Sequence, residues 1–217
     1  MGYRIPAFEL RPYMDVVELA KTRIMPLTGQ PYSFDMTPYF EEPCRFLDDV
    51  ASTCRVVISA PSQSGKSEIM LNFVAHVAIY DPAPSLLIMD TSNNSYKFSS
   101  GRLKPLLRDF VKLPAFEDTS IANRNDDKKK AVSEYSLSNN SPLYIGGSVS
   151  LSDLCSKPCK YLVLDELARF YEGKEGSSVD LALKRQMRFR GMALLTSTPT
   201  VADNYITQYW RSGTAQT

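Results

Sequence analysis

Small and polar residues run from Ala60 through Pro61, Ser62, Gln63 and Ser64 to Gly65, Lys66, Ser67 and Glu68, in the string APSQSGKSE. This meets the phosphate-binding pattern G-x-x-x-x-G-K-[ST] at every position but the first, where Ala60 replaces glycine. The chemistry asks for a tight turn whose backbone N–H groups face phosphate oxygens at the start of a helix, where the helix dipole favours negative charge. Lys66 would reach the β- and γ-phosphates and Ser67 would ligate Mg2+. The alternative is a chance match. An apolar, β-branched run at 55–60 precedes the loop and an amphipathic stretch at 66–80 follows it, which is the strand–loop–helix setting the motif requires.

A second constellation lies downstream in KYLVLDELARF, where four apolar residues at 161–164 lead into Asp165 and Glu166. An aspartate at a buried strand end can hold the Mg2+ shell. The adjacent glutamate can orient a water or accept its proton, as phosphoryl transfer to water demands. GTPases usually lack such a glutamate, so the pair favours ATP hydrolysis. The other reading is an acidic pair that caps the following helix. A third group, LLTSTPT, would bring the hydroxyls of Thr196, Ser197 and Thr198 close to the γ-phosphate before Pro199 turns the chain. Alone it reads equally well as a turn.

These residues need a scaffold that presents them together. Short apolar runs at 55–60, 85–90, 143–147, 161–165 and 192–197 alternate with helical periodicity at 66–80, 96–111, 179–188 and 203–210. Nearly all-apolar strands between helices predict an α/β fold with a mainly parallel central sheet flanked by helices. Between 112 and 141 the periodicity fades around NRNDDKKK, which reads as an exposed excursion followed by a weak strand or hairpin. Residues 55–217 form the expected P-loop core, and 1–54 an N-terminal segment that packs on it and borders the base-binding region.

With 217 residues, 43% of them hydrophobic, 23% charged, and a net charge of +1, the chain suits one globular domain, and any nucleic-acid contact must be local. Cys44, Cys54, Cys155 and Cys159 form no C-x-x-C pair, and with His76 the only histidine they read as reduced thiols of a cytosolic protein rather than a zinc site. No apolar run is long enough for a membrane helix, the N-terminus lacks a signal-peptide core, and Pro6 breaks the myristoylation pattern.

Taken in order, the three motifs resemble the ATPase domain of the large terminase subunit of tailed bacteriophages, in its lambda-like branch. Gln63 and Glu68 match that branch's variant P-loop, and TPYFEEP, GRLKPLL, GGSVSLSDLCSKPCKYLVLDELARF and TSTPT extend the likeness from about residue 37 to residue 210. The resemblance implies an ASCE-type P-loop fold, with an added strand between those bearing the two Walker motifs. It also implies an ATP- and Mg2+-dependent motor that drives double-stranded DNA into a procapsid, with Thr196, Ser197 and Thr198 coupling hydrolysis to movement. The implied partners are the portal or procapsid, the small terminase subunit and further copies in a ring, in the cytoplasm of an infected bacterial host. A whole large subunit carries a C-terminal nuclease domain, and no acidic nuclease cluster precedes Thr217, so a fragment is expected.

Some members of the family place an arginine inside the P-loop. Here none is present, so Arg102, Arg185, Arg188 and Arg190 are unranked candidates for a charge-neutralising finger, in cis or from a neighbouring subunit. Gln30 and Tyr39 could contact adenine, although core packing is the favoured reading. Lys97, Lys104 and Arg108 fall at i, i+7 and i+11 of the expected helix, and Lys128, Lys129 and Lys130 on the excursion. Either set could touch DNA phosphates independently of sequence, and a solvated face explains each as well. Two other functions fit the motifs: the first motor domain of a helicase or translocase, and a slow nucleotide-gated assembly module. Lys66→Ala is expected to lose nucleotide affinity with the fold intact, its side chain pointing into a solvated loop.

Overall fold

The protein is described by a computed structural model covering residues 12–51, 54–113, 133–150, 157–170, 172–173, 176–186, 188–200 and 204–213. Its strands are β1 (Arg55–Ser59), β2 (Ser85–Met89), β3 (Ser133–Ser136), β4 (Pro142–Gly147), β5 (Tyr161–Leu164), β6 (Glu172–Gly173), β7 (Gly176–Ser177) and β8 (Ala193–Ser197). The helices are α1 (Val16–Lys21), α2 (Glu41–Arg45), α3 (Lys66–Tyr80), α4 (Ser92–Phe98), α5 (Ser178–Leu183) and α6 (Tyr205–Arg211). A six-stranded sheet has the order β1-β8-β5-β2-β4-β3, parallel except for the antiparallel edge strand β3. β8 thus separates β1 from β5, which is the inserted strand of the ASCE arrangement. The small antiparallel pair β6-β7 stands apart from that sheet.

The strands are apolar along their whole length because both faces of the sheet are covered. Leu87, Met89, Tyr161, Val163 and Leu194 point into a core shared with α1, α3 and the chain after α4. Their sequence neighbours Leu86, Ile88, Leu162, Leu164 and Leu195 point into a second core with α5 and α6. This period-two alternation gives a three-layer molecule. α3 is sheathed on one side by the sheet and on another by α1, so even Asn72 and His76 are buried along with its apolar residues. α1 begins in a capping box: Glu18 N donates to Asp15 Oδ1 at 2.7 Å and Asp15 N to Glu18 Oε2 at 3.3 Å.

Three sequence expectations shift. The helix expected at 96–111 starts at Ser92, because Thr91 Oγ1 accepts Asn94 N–H as its cap, and it widens into π-helical turns at Ser99–Leu103 and Leu106–Val111. Pro105 has no N–H to donate and its ring crowds the preceding turn, so a regular α-ladder cannot pass through it. The helix expected at 179–188 is α5, closing in a 3-10 turn at Lys184–Gln186, and the one expected at 203–210 is α6. The weak strand expected before residue 141 is β3, hairpinned onto β4. Gly147 at the end of β4 lets the start of α4 approach closely, since a Cβ there would stand 2.3 Å from Ser92 N.

Candidate active site

Because β1, β2, β4, β5 and β8 run parallel, their carboxyl ends share one edge, and that edge collects the chemistry. The phosphate loop follows β1, Asp90 follows β2, Ser148 follows β4, Asp165 and Glu166 follow β5, and Thr198 follows β8. The ladders continue one step past the strands: Ala60 N donates to Ser197 O at 3.1 Å and Asp165 N to Ile88 O at 2.9 Å.

In the loop, positive φ falls on Gln63 (61°) and Gly65 (98°), not on Ala60. That is why alanine is tolerated at the first motif position and glycine is kept at the sixth. Around Gly65 the space is adequate, with Thr37 Cγ2 at 3.4 Å from a built Cβ, so conformation rather than crowding selects glycine. Gly65 is also the residue before the first turn of α3, so this helix opens on the loop. Pro61, Ser62 and Gln63 are exposed, and Ser64 and Ser67 half-buried.

Lys66 overturns one expectation. Its side chain is not in a solvated loop: the residue is 6% exposed, and Nζ donates to Ala60 O at 2.9 Å, Pro61 O at 2.7 Å and Thr198 Oγ1 at 3.0 Å. Burial lowers its pKa, while the charges of Glu166 and Asp165 oppose that shift. Asp165 is raised by burial. Against this act the hydrogen bond that Thr196 Oγ1 donates to Asp165 Oδ1 at 2.6 Å and the one from Glu166 N at 2.9 Å. Both groups therefore sit where an ion is costly unless an opposite charge joins it.

The three hydroxyls expected near the γ-phosphate divide their contacts. Thr196 binds Asp165, Ser197 Oγ accepts Ala168 N–H at 3.0 Å, and Thr198 accepts from Lys66. The end of β8 is thus hydrogen-bonded to the phosphate loop and to the segment after β5 at once. Glu166 adopts a left-handed conformation (φ 54°, ψ 44°), uncommon for a residue with a side chain, and its Oε2 is buried without a hydrogen-bond partner. Neither feature suits a simple helix cap, and no side-chain cap bond forms there.

Glu68 turns its carboxylate to two arginines. Arg23 Nη2 donates to Glu68 Oε2 at 2.7 Å, and Arg102 Nη1 lies 3.8 Å from Oε1. Arg23 is fully buried, donates from Nε to Asn72 Oδ1 at 2.7 Å, and lies 5.1 Å from the Tyr32 ring. Nothing local in the sequence marks Arg23. Arg169, also passed over, lies between two acidic groups: Nη1 is 3.9 Å from Asp90 Oδ2 and Nε 4.0 Å from Glu166 Oε2.

Of the finger candidates, the chain brings only Arg102 to the phosphate loop's helix. Arg185 and Arg190 sit at the opposite edge of the sheet, where Arg185 O accepts Cys159 N–H before β5 and Arg190 Nη2 donates to Ala51 O. Arg188 lies on the same exposed turn ahead of β8. A strand of this length puts the two edges roughly 15 Å apart, so these three lie far from the phosphate loop of their own chain. Tyr39 is not core: it is 56% exposed and its hydroxyl donates to Ser64 O at 3.2 Å. Gln30 has an exposed side chain in the turn closed by the Ile24–Pro31 bridge. Of the cations expected on one helix face, Lys97 is exposed, Lys104 half-buried, and Arg108, also exposed, forms a two-point pair with Asp109 at 2.6 and 2.7 Å. Lys128, Lys129 and Lys130 lie outside the described residues, as does Cys155.

A family model for the ATPase domain of the phage terminase large subunit gpA matches residues 28–217. The chain belongs to this family. The large terminase of bacteriophage HK97 superposes with a TM-score of 0.68 at 13% identity, covering 90% of this chain and 40% of that one. The large terminase ATPase domain of Thermus phage P74-26 gives a TM-score of 0.52 at 18% identity, covering 75% of this chain and 66% of that one. At these identities the likeness is one of fold. A comparison with curated proteins finds no match. The chain spans under half the length of the HK97 protein. Among the described residues, no helix of this terminase ATPase domain is long and apolar enough to cross a membrane.

Proposed function

We propose that this terminase ATPase domain is the motor of a DNA-packaging machine, hydrolysing ATP with Mg2+ to move double-stranded DNA into a procapsid. The observation that carries the reading is the end of β8, whose hydroxyls bond both to Lys66 and to Asp165, so that a change at either is felt on one strand. ATP phosphates would lie across the loop N–H groups and Lys66 Nζ. A phosphate oxygen outcompetes neutral acceptors for an ammonium, which would draw Lys66 from Thr198 and release that contact.

Ser67 and Asp165 are the hard oxygen donors that would hold Mg2+, which supplies neutralisation of phosphate charge. Among the described residues no group of three or more His, Cys, Asp or Glu is gathered for a metal. Glu166 orients the attacking water. Tyr39, exposed beside Ser64, and Gln30 border the base site offered by the 1–54 segment. The arginine that completes the site is Arg102 in cis, or Arg185, Arg188 or Arg190 presented to a neighbour in a ring.

DNA is held by its backbone, without base readout, as movement along any sequence requires. Lys97 and Lys104 are the contacts on the described surface, with the small subunit and portal as further partners in the host cytoplasm. The test is nuclease protection of DNA in a packaging reaction containing the whole large subunit, the small subunit, procapsids and ATP. Unrelated DNA sequences joined to one packaging start are expected to be protected equally. Protection that stops at particular sequences, or that proceeds without ATP, would contradict the reading.

A further inference from the structure

Glu166 must be aimed, and its surroundings show by what. Its backbone is fixed in the left-handed region, yet Oε2 is buried with no hydrogen-bond partner. The nearest opposite charge on its own turn is Arg169, at 4.0 Å, which is too long for a hydrogen bond and close enough for attraction. The same guanidinium is 3.9 Å from Asp90 Oδ2. One cation therefore stands between two carboxylates and is bonded to neither.

The two carboxylates differ in freedom. Asp90 Oδ1 already accepts Thr91 N–H and Asn94 Nδ2–H, each at 2.8 Å, and Asp90 O accepts Ser148 Oγ–H at 2.6 Å. Its side chain is 8% exposed, against 60% for Arg169. Asp90 is thus the fixed post between α4 and β4, with Oδ2 left for Arg169. Among the described residues, Lys66 and Asp165 also face Glu166 with their charges.

We propose that Asp90 and Arg169 are positioning residues for Glu166. Asp90 anchors Arg169, and the anchored guanidinium holds the Glu166 carboxylate by attraction in the pose that orients water, so loss of either charge lets that carboxylate wander. This rests on Glu166 acting on water, as in the function proposed above. It extends that function by linking the base to α4, whose first turn is fastened to Asp90 through Asn94.

ATP turnover of the whole large subunit with DNA, read as kcat and KM with melting temperature alongside, tests this in Asp90→Asn, Arg169→Gln, Arg169→Lys and the Asp90→Asn/Arg169→Gln double variant. Asparagine keeps Oδ1 as the acceptor for Thr91 and Asn94 and replaces the charged oxygen facing Arg169 with a neutral NH2. Each neutralising variant is expected to lower kcat about tenfold with KM for ATP within about twofold and melting unchanged. The double should be no slower than the slower single, since the pair acts as a unit, and Arg169→Lys should recover part of the loss. Wild-type kcat in both neutralising singles, or additive losses with lowered melting or raised KM, would overturn it. Glu166→Gln separates the two ideas. If it is inactive while both neutralising singles run at the wild-type rate, only the positioning role falls. If it turns over normally, the role of Glu166 fails and this inference fails with it.

Discussion

Glu166→Gln is expected to lower ATP turnover by about two to four orders of magnitude while leaving ATP affinity close to that of the wild type. The substitution keeps the size and the left-handed backbone that the chain already tolerates at this position, and removes only the carboxylate proposed to orient and deprotonate water. Phosphate release under saturating ATP gives the rate, and equilibrium binding of a fluorescent ATP analogue gives the affinity. Since Asp165 retains its hydrogen bonds from Thr196 and from the residue 166 N–H, the site should stay assembled and bind without turning over. Unchanged turnover would show that Glu166 has no catalytic role.

Arg23→Ala is expected to cost about 3 kcal/mol of stability, toward the low end for breaking a buried pair by removing one partner. For a domain of this size that is a fall of roughly 6–12 °C in melting temperature. The charge left behind is Glu68, whose side chain is only 14% exposed and sits in the first turn of α3. Arg102, 3.8 Å from the other oxygen, is what keeps the cost from the upper end. Asn72 would also lose the donor to its Oδ1. Arg23→Met, which keeps the apolar stem against Tyr32, should lose nearly as much. If it melts like the wild type, packing rather than the ion pair holds this corner, and the explanation is wrong. Because Glu68 is in α3's first turn, directly after Ser67, loosened ATP binding should accompany the lost stability in both variants.

The phosphate loop, the acidic pair and the hydroxyl motif were readable because each is local: a few adjacent residues at a strand end state the chemistry outright. The strands were readable for a related reason, since a strand covered on both faces must be apolar throughout, as Leu86, Leu87, Ile88 and Met89 are. Arg23, Arg169 and Asp90 were not, because their meaning lies in pairings across the fold, between Arg23 and Glu68 or Arg169 and Asp90. Lys66 reads as solvated because a loop lysine usually is, while its contact with Thr198 depends on β8 lying beside β1. The detail of the helix at 96–111 is not legible because a regular α-helical period does not pass through Pro105, where the turns widen.

The central claim is that the residues gathered at the carboxyl edge of the sheet bind and hydrolyse ATP. It is tested most directly by measuring ATP·Mg2+ binding and phosphate release for the wild type beside Lys66→Ala. Lys66 is held by Ala60, Pro61 and Thr198, so its removal frees acceptors of the loop itself and a slight loss of melting temperature is expected. The wild type is expected to bind ATP and release phosphate, whereas the variant, still folded, binds ATP at least about tenfold more weakly and releases almost none. A folded Lys66→Ala protein that binds and hydrolyses ATP as the wild type does would contradict it.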